Sequence, residues 1–119
     1  MQHNQKYGKI GEEIAVKYLI NSSYKILFKN KRIGKDEIDI IAKKNKLIIF
    51  IEVKTRLNNY VGRAEDQLSV KKYFNMKRAA SNYSFENHVN EESLRIEFIA
   101  INLNMSNKMA NIKHFINIL

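Results

Sequence analysis

Apolar and polar positions recur along this chain with two different periods, and the changes of period mark its elements. Over residues 8–21, Ile10, Ile14 and Tyr18, flanked by Gly11, Ala15 and Leu19, recur at helical spacing and make one apolar stripe. At about 100° per residue, Glu13 falls on the polar side of that helix and Glu12 on the flank of the stripe. Glu12 therefore reaches the edge of whatever the helix packs on, while Glu13 faces water. Residues 24–30 predict a short strand, with Ile26 and Phe28 on one face. Residues 37–42 and 47–55, rich in Ile and Val, predict stronger strands, separated by the polar turn Lys43-Lys44-Asn45-Lys46. After Asn58, Asn59 and Gly62, a second helix is expected over residues 65–83, with Val70, Tyr73, Phe74, Lys77 and Ala80 on its inner side. Residues 85–93 read as polar loop. Residues 95–103 and 112–118 read as a last pair of strands, turning at Ser106-Asn107-Lys108. The predicted order is α-β-β-β-α-β-β: an α/β fold with a mixed sheet and flanking helices, in one domain over residues 1–119.

The central hairpin carries the chemistry. In its tightest form the turn has Asn45 and Lys46 as central residues, and Asn tolerates the positive φ such a turn needs. Lys44 then faces Leu47, and counting outward sets Asp39 opposite Glu52 and Glu37 opposite Lys54. Opposed residues share a face and strand side chains alternate. Glu37, Asp39, Ile41, Phe50, Glu52 and Lys54 therefore share one face, and Ile38, Ile40, Ile49, Ile51 and Val53 fill the core side. Two opposed carboxylates have Cβ atoms roughly 4.5–5.5 Å apart and repel. One must take up a proton, or a cation must sit between them. Lys54, two residues along from Glu52, offers one positive charge, and a divalent metal offers two. Mg²⁺ is held by one or two carboxylates, waters and phosphate oxygens, and it polarises a phosphate oxygen and acidifies a bound water. Lys54 beside it would orient or deprotonate that water, or neutralise charge building up on the phosphate. A Glu and a Lys on an exposed hairpin face are also a common weak surface pair. The matched acid on the neighbouring strand, and Glu12 on the helix flank, tilt the pattern towards a metal site.

Composition narrows the rest. At 119 residues and 45% hydrophobic, the chain suits one core. The absence of Cys excludes disulfides, thiolate metal sites and a thiol nucleophile. The longest apolar run, residues 47–51, is too short to span a bilayer, and the polar N-terminus lacks a secretory signal, which fits a cytoplasmic protein without membrane contact. The net charge of +9 suggests a polyanionic partner, nucleic acid above all. The abundance of Lys, Asn and Ile also fits codon drift in an AT-rich genome, so the few Arg residues are more informative than any one Lys. Arg32, Arg56, Arg63, Lys71, Lys72, Lys77 and Arg78 are candidates to grip phosphates, against the alternative of a solvated helix face. The helical spacing of Tyr73 and Phe74 favours core packing over base stacking. His3, His88 and His114 show no metal-ligand spacing, and His114 reads as a structural or edge residue within a strand.

Taken together, Gly11-Glu12 with Ala15 and Tyr18-Leu19, Asn30-Lys31-Arg32, Glu37-Ile38-Asp39-Ile40-Ile41, Phe50-Ile51-Glu52-Val53-Lys54-Thr55-Arg56, Gly62, Lys72 and Ile112-Lys113-His114 carry a resemblance. The chain resembles the PD-(D/E)xK nuclease superfamily, the restriction-endonuclease-like fold that includes Holliday-junction resolvases, and more closely the YraN family of small bacterial proteins. The resemblance implies a core αβββαβ fold, Asp39 and Glu52 as Mg²⁺ or Mn²⁺ ligands, and Lys54 as the catalytic lysine. By analogy with the resolvases it adds Glu12 as a further carboxylate and a homodimer. Ile38 stands where the superfamily has Pro, and Lys35-Asp36 where relatives commonly carry Gly. Glu37 reads mainly as a salt-bridge partner that positions Lys54. The leading expectation is a Mg²⁺- or Mn²⁺-dependent DNA endonuclease acting on branched or junction DNA, with Glu12, Asp39 and Glu52 holding metal and Lys54 assisting the water. The alternatives are a non-catalytic nucleic-acid-binding module that retains the nuclease fold, and an interaction protein whose acidic face and basic helix dock a protein partner.

Overall fold

A strand-rich middle flanked by two amphipathic helices buries both faces of one sheet. The computed structural model describes residues 2–57 and 68–116, with side chains from residue 6 onward. Its elements are α1 (Gln2–Asn21), β1 (Lys25–Ile33), β2 (Asp36–Lys44), β3 (Leu47–Leu57), α2 (Val70–Asn87), β4 (Leu94–Asn104) and β5 (Met109–Phe115), with a 3-10 turn at Glu91–Ser93. The sheet order is β1-β2-β3-β4-β5. Neighbours are antiparallel except β3 and β4, which are parallel, so the connection containing α2 crosses from one end of the sheet to the other. The order α-β-β-β-α-β-β is the predicted one, and Asn45 adopts the expected positive φ at 55°. Among the described residues, no helix is long and apolar enough to cross a membrane.

The expectation of one core face and one polar face is corrected. Ala15 and Leu19 of α1 pack on Ile40, Ala42, Ile49, Ile51, Val53, Ile99 and Ile101. On the opposite face, Met76, Ala79 and Ala80 of α2 pack on Ile33, Ile38, Ile41 and Phe50. Ile41 and Phe50, expected beside the acids on an open face, are fully buried. A parallel pair fed by a crossover helix has both its faces covered. Ile38 also changes sides relative to Ile40, so alternation breaks at Asp39. The ladder to β1 explains this: Lys29 pairs with Ile40 and Lys31 with Ile38, and the intervening Asn30 has a φ of 51°. A left-handed residue, which Asn tolerates, thus lies directly across from Asp39.

The second helix also differs from expectation. It begins at Val70, where Ser69 caps it by accepting the Lys72 N–H at 3.0 Å, and it continues to Asn87 before the left-handed His88. Residues 65–67 of the expected span lie outside the described residues. Its buried side is Met76, Ala79, Ala80 and Ser84. Val70 and Phe74 are 73% and 57% exposed, and Lys77 is exposed too. The sheet beneath α2 is already filled by Ile41 and Phe50, so small Ala side chains pack there and the bulky ones turn outward. The last hairpin is the expected one, except that β5 begins at Met109; residues 117–118 of the expected strand lie outside the described residues.

Candidate active site

The β2–β3 ladder follows the register counted from the turn, from Lys44↔Leu47 to Ile40↔Ile51. It ends one pair short of Asp39 and Glu52. There the Asp39 carboxylate takes the place of a backbone acceptor: its Oδ2 receives the Val53 N–H at 2.9 Å. Asp39 is thereby aimed by the backbone of the strand that carries Glu52.

Glu52 is 3% exposed. Burial, and then the negative charge of Asp39, push its carboxyl up to about 7, against the pull of Lys72 and Lys54. The repulsion inferred from opposed carboxylates thus appears as a raised proton affinity at Glu52. Lys54 Nζ lies 3.9 Å from Glu52 Oε2, and Lys72 Nζ lies 3.5 Å from Oε1. Oε1 is buried and makes no hydrogen bond, so its contact with Lys72 is charge attraction alone.

Glu12 joins this group from α1. It is partly buried, and burial followed by the charge of Asp39 raises its pKa, opposed by a hydrogen bond with Asn30. Its position depends on Gly11. A Cβ there would lie 1.8 Å from Thr55 Oγ1 and 2.8 Å from Thr55 Cβ, so α1 can lie this close to β3 only with glycine at the crossing. Among the described residues, no group of three Asp, Glu, His or Cys side chains forms a ready-made metal cage. The structure brings Asp39 and Glu52 together and sets Glu12 within electrostatic reach. Two hard oxygen donors, one of them buried without a hydrogen bond, suit a Mg²⁺- or Mn²⁺-type ion that keeps most of its waters.

Other candidates fall elsewhere. Glu37 does not position Lys54: it pairs with Arg32 across the β1–β2 ladder, at 4.0 Å. Because β2 and β3 part after Ile40 and Ile51, Glu37 follows β1 instead of facing β3. Arg78 forms a two-pronged pair with the buried Asp36, at 2.9 and 2.7 Å. That guanidinium holds the Asp36 carboxyl below its ordinary range and clamps α2 to the start of β2. Arg56 is partly buried, with an Nε that makes no hydrogen bond, and Lys71 is exposed. Arg63 lies outside the described residues.

Two features escaped the sequence reading. A groove of about 280 Å³ runs between α1 and β1, lined by Lys9, Lys17 and Lys29 together with Glu12, Glu13 and Asn30. Across the sheet on the α1 side, Glu97 is 3% exposed. Its Oε1 accepts the Tyr24 hydroxyl at 2.9 Å and meets His114 Nε2 at 2.6 Å, while His114 Nδ1 meets the Tyr18 hydroxyl at 2.9 Å. The signal available was one charged residue inside the apolar run of β4.

Residues 11–101 match the family model described as "Uncharacterised protein family UPF0102". A UPF0102 protein of Alkaliphilus oremlandii is 38% identical over 114 residues, 96% of this chain and 97% of that relative. One from Clostridioides difficile is 41% identical over 101 residues, 85% of this chain and 89% of that relative. Among solved structures, Pyrococcus furiosus SfsA in complex with Ca²⁺ aligns with a TM-score of 0.44 and 16% identity, over 95% of this chain and 64% of that one.

Proposed function

The chain belongs to the UPF0102 family, the YraN family of the sequence resemblance, and from that premise we propose that it is a metal-dependent DNA endonuclease. The observation that carries the reading is the buried, proton-hungry Glu52 beside Asp39, with lysines on both of its oxygens. A structural carboxylate in a core is stabilised by hydrogen bonds; Glu52 Oε1 has none, which supports a role in binding a cation. Asp39 and Glu52 would hold Mg²⁺ or Mn²⁺, with Glu12 as a further carboxylate. When bound, such an ion supplies Lewis-acid polarisation of a phosphate oxygen and a more acidic water. The chain's own contribution is placement. The Val53 N–H fixes Asp39, and the Lys54 ammonium donates to a non-bridging phosphate oxygen as charge accumulates there. Lys9, Lys17 and Lys29, set beside Glu12 and Glu13, leave the adjoining groove a small positive excess, which supports phosphodiester backbone as its ligand.

The test is cleavage of a labelled four-way junction and a matched linear duplex, with Mg²⁺, Mn²⁺ or EDTA. The expected result is metal-dependent, EDTA-sensitive cutting, stronger on the junction, that is lost in Asp39→Asn and Lys54→Ala while DNA binding persists. Binding without cutting under every metal and salt condition would instead assign the fold to a non-catalytic nucleic-acid module.

A further inference from the structure

We propose that Lys72 is a resident counter-ion for the metal position, displaced from Glu52 when a divalent cation binds. The inference rests on the metal-dependent reading above and adds to it a residue of α2 that controls loading of the site.

The two lysines on Glu52 are not equivalent. Lys54 belongs to the same strand, its side chain is 45% exposed, and it stands 3.9 Å from Oε2. Lys72 arrives from the first turn of α2, is 33% exposed, and stands closer, 3.5 Å from Oε1. Oε1 is the buried oxygen without a hydrogen bond, so a cation held by Glu52 through that oxygen would meet the Lys72 ammonium. Lys72 therefore occupies charge space that the metal needs. With no directional bond to break, it leaves by side-chain rotation alone.

The helix itself is fixed. Ser69 caps its start at the Lys72 N–H, and Arg78, six residues further on, forks onto Asp36 of β2. Lys72 thus moves only as a side chain on an anchored backbone. An ammonium that leaves Glu52 stays within electrostatic reach of Asp36, whose carboxyl it already helps to hold down, and can donate to a phosphate of a bound substrate. The same residue offsets the repulsion between Glu52 and Asp39 that burial intensifies.

Calorimetric titration of Mg²⁺ into DNA-free protein at pH 8.5 tests this without reference to cleavage. Four proteins are compared: wild type, Lys72→Met, Lys72→Arg and the exposed neighbour control Lys71→Met. Removing a full charge beside the ion is expected to tighten Mg²⁺ binding by about three- to tenfold in Lys72→Met. Lys72→Arg and Lys71→Met are expected to stay within about twofold of wild type. If wild type binds Mg²⁺ and Lys72→Met binds it no tighter, the assignment of Lys72 is overturned and the metal site stands. An equal gain in Lys71→Met would reveal a general charge effect and overturn the assignment too. If no protein in the series binds Mg²⁺, the metal reading falls and Lys72 with it.

Discussion

At Glu52 burial and the neighbouring Asp39 favour a proton, against the ammonium groups of Lys72 and Lys54. The pKa of Glu52 in the fold, about 7, lies above the ordinary 4.5, so the folded protein binds more protons than the unfolded chain between those values. Stability is therefore greatest below the ordinary value and declines as pH rises through about 7. The upward shift of Glu12 has the same sign. Without metal, the midpoint of thermal unfolding is expected to fall from pH 5 to pH 8. Glu52→Gln should flatten that slope and be more stable than wild type at pH 8, by about 1–3 kcal/mol, while losing metal affinity. Calorimetric scans across pH check this. Asp39 makes a different demand. Asp39→Ala strands the buried Val53 N–H and is expected to cost about 1–3 kcal/mol in chemical denaturation, whereas Asp39→Asn keeps an acceptor and most of the stability. The sequence revealed Asp39, Glu52 and Lys54 as one cluster because alternation and a tight turn brought them to a common face. It did not reveal that Lys72, thirty-odd positions from Asp39, stands closer to Glu52 than Lys54 does. Such pairing depends on how α2 lies across the sheet, and no local period encodes that.

Among the elements, α1 is placed by a missing side chain. Gly11 sits where any Cβ would strike Thr55, so Gly11→Ala is expected to push the helix off β3 and cost about 1–3 kcal/mol in urea melts. Catalysis should fall further than stability does, because Glu12 follows Gly11 and moves with it. The register of β2 and β3 was readable because Asn45 accepts a positive φ and pins the turn. The burial of both sheet faces was not, since Glu37, Asp39, Glu52 and Lys54 made one face look solvated although Ile41 and Phe50 lie on it. The inner side of α2 is ambiguous in the sequence for a related reason. Val70, Phe74 and Ala80 fit a helical stripe as well as Met76, Ala79 and Ala80 do, and only the filled surface beneath decides between them. The break of alternation at Asp39 depends on the left-handed Asn30 across the ladder, an interaction between strands that neither strand shows alone.

Over the whole molecule, charge and topology act together. The surplus of +9 is expected to make duplex affinity fall by about tenfold or more between about 50 and 200 mM salt. Reversing Lys9, Lys17 and Lys29 to Glu should flatten that dependence more than reversing exposed lysines elsewhere, as read from fluorescence anisotropy. The same positive charge protects an edge. β1 ends the sheet and carries Lys25, Lys29, Lys31 and Arg32, which discourage pairing with a second copy along that strand. At the other edge, the hydrogen-bonded chain from Tyr18 through His114 to Glu97 ties the first helix to the last strand. The first helix and the last strand are thereby expected to open as one unit. Deuterium should enter the β5 amides at the pace of α1, not at the pace of the Ser106–Asn107 turn beside them, and His114→Ala should let the strand fray alone.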